Sequence, residues 1–190
     1  MKYEEIKSPE KLLSFMDIIE YGFVDEDGKK YGSWNEEEFE KNVLTKWRLS
    51  SPTELINNGY GHCFDQVELE RDWFTKNNYN AKTYYIMFLF DKPNDYSTHT
   101  FLIYEDNNKW YIFEHSDYFD RGIHEFNTLN DALIYKMNKH IEYNKEYNKI
   151  DVEILKRLHI FEYNKPNSKI TFKEFIDNIL DNGTDVTPKN

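Results

Sequence analysis

Three apolar runs in the middle of the chain constrain the fold most. Lys82 to Phe90 is long, aromatic and β-branched. His99 to Glu105 and Lys109 to Glu114 follow, parted only by Asp106-Asn107-Asn108. Runs of this length joined by a short Asn-rich turn predict an antiparallel hairpin beside a third strand. The stretch between the first and second runs, Asp91 to Thr98, is polar and holds a proline, so it reads as a loop.

Helix signals flank this block. Ser8-Pro9-Glu10 sets an N-cap before a proline at the first helical position, and Leu12, Leu13, Phe15 and Met16 follow. Ser33 with Glu36 reads as a capping box for a helix carrying Phe39, Val43, Leu44 and Trp47. Ser51-Pro52-Thr53-Glu54 caps a short helix that ends near Asn57-Asn58-Gly59. A helix is expected from about Cys63 to Lys76, with Phe64, Val67, Arg71 and Phe74 on one stripe. Thr128 with Asp131 opens another, to about Tyr143, and Thr171 with Glu174 caps a last one through Leu180. Val152 to Tyr163 fits helix or strand, and Asp25-Glu26-Asp27-Gly28 reads as a turn. Helices, then strands, then helices is the order of an α+β fold rather than of alternating α/β. With no repeat and no Gly/Ser-rich or Pro-rich linker, residues 1–182 read as one domain and 183–190 as a polar, frayed tail.

Composition removes several functions. The 24 basic and 35 acidic residues leave a net charge of −11 over 190 residues, with no basic cluster, which argues against a nucleic-acid surface. An aromatic share of 17% excludes a disordered chain. No segment approaches the roughly 20 apolar residues of a membrane span, and the first residues lack an apolar signal core. A single cysteine, Cys63, forbids an internal disulfide. The expectation is a cytoplasmic protein with a free thiol.

That thiol sits in Gly59-Tyr60-Gly61-His62-Cys63-Phe64-Asp65-Gln66. Two glycines allow a tight turn before the helix. A cysteine in the first helical turn faces unpaired N–H groups and the positive end of the dipole, and both favour thiolate. The same N–H groups can serve an oxyanion. A lone buried thiol with no chemistry is the common alternative. His99 opens a strand whose hairpin partner ends in Glu114, so the hairpin sets His99 roughly opposite Glu114 or His115. A carboxylate there would bind the imidazole N–H and fix its tautomer. Asp117, three residues on, is the reserve acid. His62 is a candidate alternative base or substrate contact and Gln66 a candidate substrate contact, although His62 reads more simply as a turn residue pointing away from Cys63. Asp65 suits the helix dipole, and Glu68, Glu70, Arg71 and Asp72 read as a solvated face. His62, Cys63, His99, His115 and Asp117 are metal-ligating types, but no metal-site spacing joins them, so neither metal nor other cofactor is expected.

These residues resemble the transglutaminase-like superfamily. Leu55, Gly61-His62-Cys63-Phe64-Asp65 opening a helix, and Asn80-Ala81-Lys82 entering a strand resemble its core. So do His99-Thr100-Phe101-Leu102-Ile103-Tyr104 opening the next strand and Trp110-Tyr111-Ile112-Phe113-Glu114 closing the third. The likeness spans about residues 52 to 117. It implies a papain-like fold with the Cys helix packed on an antiparallel sheet, and a Cys63, His99, Glu114 triad. The family's acid is usually Asp, and here the matching residue is Glu. The implied function is thiol-dependent acyl transfer, as hydrolase or transamidase, on a peptide or protein or on a small amide or ester. The alternative is a non-catalytic peptide- or protein-binding module that keeps the fold.

Overall fold

The computed structural model describes residues 2–89, 98–147 and 152–189. The Ser8 hydroxyl accepts from Lys11 N and starts helix α1 (Pro9–Phe15), with proline in its first turn. Two short strands follow, β1 (Glu20–Val24) and β2 (Lys30–Gly32), which sequence patterning did not mark. The Asp25–Gly28 turn joins them as expected. The Asp25 carboxylate accepts from the N–H groups of Asp27 and Lys29, and Gly28 takes a left-handed φ of 79°.

Helix α2 (Glu36–Lys46) is capped by Asn35, whose Oδ1 accepts from Glu38 N. The expected Ser33 cap instead begins a 3-10 turn over Ser33–Asn35. Helix α3 (Pro52–Asn58) has the Ser51/Glu54 capping box and ends on Gly59 at φ 69°. Strand β3 (Tyr60–Gly61) leads directly into helix α4 (Cys63–Lys76).

Strands β4 (Asn80–Phe88), β5 (His99–Asp106) and β6 (Lys109–Glu114) match the three central runs. Asn107 and Asn108 turn the hairpin at positive φ. Of the expected loop Asp91 to Thr98, only Thr98 lies within the described residues. Beyond β6 come β7 (Gly122–Phe126), helix α5 (Leu129–Tyr147), the short helix α6 (Val152–Leu155), β8 (Leu158–Tyr163), helix α7 (Phe172–Asn182) and β9 (Thr184–Asp185). The ambiguous stretch 152–163 is thus helix first and strand after. Part of the stretch expected as a frayed tail pairs with the sheet. β9 pairs with β8, Val186 N donates to Ile160 O, and Ile160 N donates to Thr187 Oγ1.

The main sheet is antiparallel throughout, in the order β7-β6-β5-β4-β8-β9. A small sheet, β2-β1-β3, holds β3 parallel to β1. The architecture is α+β: a six-stranded antiparallel sheet and seven helices among the described residues. Both sheet faces are covered. Tyr85, Leu102, Tyr104 and Phe113 join Phe64, Val67 and Phe74 of α4 in one core. Tyr84, Ile86, Phe101, Ile103 and Ile112 pack against Ala132, Leu133 and Met137 of α5 in the other. The period-2 alternation of the strands sorts these two sets. No helix among the described residues is long and apolar enough to cross a membrane.

Candidate active site

Cys63 is the first residue of α4, at the helix N-terminus. The turn into it depends on Gly61, where an added Cβ would stand 2.5 Å from Leu55 Cδ1. Asp65 then ties the helix start in place. Its carboxylate accepts from Trp47 Nε1 at 2.8 Å, Ser50 N at 2.8 Å and His62 N at 2.9 Å. Burial pushes this carboxyl up to about 6, against three N–H donors that favour its charge. Asp65 is therefore a brace across three segments as well as a charge at the dipole.

Two imidazoles reach the thiol. His62 Nδ1 lies 3.3 Å from Cys63 Sγ, so His62 does not turn away from Cys63. Its ring is wedged among Tyr21, Phe39, Phe64 and Phe172, which hold it beside the sulfur. This setting also leaves it buried. His99, at the start of β5, is close enough to the thiol for the two groups to shift each other's ionisation. Burial opposes charge on Cys63, but the His62 and His99 imidazoles outweigh it and hold the thiol well below its ordinary value.

His99 Nε2 is bonded to Glu114 Oε2 at 2.8 Å, which leaves Nδ1 as the nitrogen for sulfur. Continuing the β5–β6 register by one residue sets Phe101 opposite Glu114. His99 is then a diagonal neighbour of Glu114 on the same face, a spacing at which long side chains meet. Burial disfavours the imidazolium, yet the Glu114 charge, the neighbouring thiol and the bond to Glu114 raise His99 to about 10. Glu114 is buried, and the Lys136 and His99 charges hold it well below the usual carboxylate range despite that burial. Cys63, His99 and Glu114 thus stand in sequence, with the charged form favoured at each.

Asp117 does not take the place of Glu114. Its backbone N–H donates to Glu114 Oε1 at 2.9 Å, and its carboxylate accepts from Lys136 Nζ at 3.3 Å. Gln66 is buried, with both ends of its amide engaged. Nε2 donates to Gly61 O at 2.8 Å, and Oε1 lies 2.6 Å from His115 Nδ1. It is a strut between the cysteine turn and the end of β6. Burial lowers His115 to about 4, so at neutral pH its Nδ1–H donates to that amide oxygen. The Glu68–Asp72 run is not a solvated face. Glu68 and Glu70 are each 3% exposed, and Arg71 pairs with Glu68.

The sequence reading passed over two neighbours of the site. Tyr21, on β1, neighbours the Cys63 thiol, and burial and the charge at Cys63 hold its hydroxyl well above its ordinary value. Lys136, on α5, bonds Glu114 Oε2 at 2.7 Å. The parallel pairing Tyr21↔Gly61 delivers the tyrosine, and no local pattern announces it. His99, Glu114 and Asp117 could also offer a metal three ligand atoms within 4.8 Å of one another, but the Lys136 ammonium already bonds both carboxylates. The surface groove lined by Tyr3, Phe15, Ile18, Pro52, Ile56 and Asp72 includes none of the site residues. No family model matches this chain, and no curated protein does.

Proposed function

We propose that this protein is a thiol-dependent acyl-transfer enzyme of transglutaminase-like, papain-like architecture. The carrying observation is the His99 ring, bonded to Glu114 at 2.8 Å and close enough to Cys63 at the head of α4 for the two to favour each other's charged form. In this reading the Cys63 thiolate attacks an amide or ester carbonyl and a C–S bond forms. The N–H groups of Cys63 and Phe64, which have no intrahelical acceptor, stabilise the oxyanion. As the tetrahedral species collapses, the C–N or C–O bond breaks and the leaving group takes its proton from the His99 imidazolium. Water or an amine then attacks the thioester, giving its proton to His99 and returning the thiolate. Glu114 keeps the Nε2–H tautomer and stabilises the imidazolium. The acyl donor is a peptide, a protein, or a small amide or ester.

Cys63 is only 1% exposed, so a substrate carbonyl reaches the sulfur when the groups over it move. Burial of the thiol also favours a second reading, a binding module that keeps the fold. Tyr118 and Phe119, 84% and 69% exposed and clustered with Tyr143 and Tyr147, would be its contact surface. Iodoacetamide alkylation of the folded protein separates the two. The expected result is Cys63 modification at mildly acidic pH, where an ordinary thiol of pKa about 8.5 has lost reactivity. His99→Ala should move the profile towards alkaline pH with the helical circular-dichroism signal intact. Identical profiles for the two proteins, or modification only after denaturation, make the binding module the better reading.

A further inference from the structure

Lys136 is 1% exposed on α5, at a depth where lysines rarely occur without partners. Its ammonium has three donors and three carboxylate acceptors: Glu114 Oε2 at 2.7 Å, Asp120 Oδ2 at 3.1 Å and Asp117 Oδ2 at 3.3 Å. The Phe101 ring lies 5.8 Å from Nζ. Asp120 is fixed in turn, because its Oδ1 accepts from Tyr135 Oη at 2.6 Å. Glu114 Oε1 accepts from Asp117 N at 2.9 Å and Ser116 Oγ at 3.3 Å. Both carboxylate oxygens of Glu114 are thereby pinned.

The oxygen that Lys136 bonds is the one that holds His99. Glu114 Oε2 lies 2.7 Å from Lys136 Nζ and 2.8 Å from His99 Nε2. An oxygen shared by two cations gives less to each, and the ammonium is a like charge to the imidazolium beside it. A carboxylate reserved for His99 alone would hold the imidazole proton more tightly, and a general acid that cannot release its proton is a poor one.

We propose that Lys136 is a positioning residue, a fixed internal cation that pins Glu114 and, by sharing its Oε2 with His99, sets how firmly the imidazole holds its proton. This rests on the reading of Cys63, His99 and Glu114 as one working unit. Cys63 and His62 face His99 from the α4 end, Glu70 faces it and Lys136 from within α4, and Tyr135 and His124 border Asp120. Only Lys136 among these places a positive charge on the oxygen that His99 uses.

The test is the His99 ring titration followed by NMR in wild type, Lys136→Met and Lys136→Arg. Loss of the ammonium should raise the His99 midpoint by about one unit or more, the usual effect of a like charge at this range, and arginine should restore it. A folded Lys136→Met protein whose His99 titrates as in wild type, or lower, overturns the proposal. Lys136→Met with Asp120→Asn removes a charge from each side and offers a second route to a folded variant, since neutral replacement of both partners is better tolerated than loss of one. If neither folds, the wild type carries the test. The Lys136 15Nζ resonance must register the His99 titration, and a resonance indifferent to it overturns the proposal. Failure of the underlying reading shows differently: His99→Ala would leave the Cys63 alkylation profile unchanged whatever Lys136 does to the His99 midpoint.

Discussion

At the scale of single residues, the site is a set of buried charges that tolerate burial because each faces a partner. Glu70 is the exception in kind. It is 3% exposed on α4, and burial and the Glu114 charge hold its carboxyl well above the usual range, so it is kept in its neutral form. A carboxyl raised in the folded state stabilises the fold fully below its unfolded pKa of about 4.3, and that contribution is lost as pH rises through the folded value. Glu70→Gln keeps the shape without the ionisation. The expected outcome is a melting temperature at pH 8 raised by about 2 °C or more, with a smaller change at pH 4.5; an equal or opposite change in thermal melts at the two pH values refutes it. Spacing and residue type could mark Cys63, His99 and Glu114. They could not mark which way His62 points, because its rotamer is set by Tyr21, Phe39 and Phe172, all distant in sequence.

Helix α4 shows how much of an element is written locally. Its start was readable because Gly61 permits a close approach to Leu55 and Cys63 follows at once. The anchoring was not, since Asp65 receives its donors from Trp47 and Ser50, which lie on other segments. Asp65→Ala would leave an indole N–H and two backbone N–H groups without their acceptor in the interior. A loss of about 2–4 kcal/mol in urea unfolding is expected, well above the usual cost of an exposed N-cap. A loss below 1 kcal/mol would mean that water replaces the carboxylate. The strands tell the same story. β4, β5 and β6 are long and apolar enough to be legible, whereas β1, β2 and β9 span five, three and two residues and exist because a neighbouring strand pairs with them.

For the whole molecule, the decisive event is the closing of both faces of the sheet. Alternation along β4 to β6 sends one set of side chains to α4 and the other to α5. The C-terminal strand guards an edge. β9 covers β8, and His159 Nδ1 meets Asp185 Oδ2 at 2.8 Å. Deleting residues 184–190 should lower the melting temperature by several degrees and expose the β8 edge to pairing between molecules, seen as concentration-dependent light scattering. An unchanged melt and a monodisperse solution would show that β9 contributes nothing. Sequence alone determined the helix caps other than that of α2, the central strands, their antiparallel hairpin and the residue types that meet at Cys63, because all of these follow from short-range periodicity and local hydrogen bonding. Only tertiary structure decided that Tyr21 and Lys136 join them, that Gln66 and Glu70 face inward, and that Thr184–Asp185 pair as a strand. Burial and cross-segment pairing depend on what the rest of the chain brings alongside, and no local pattern encodes that.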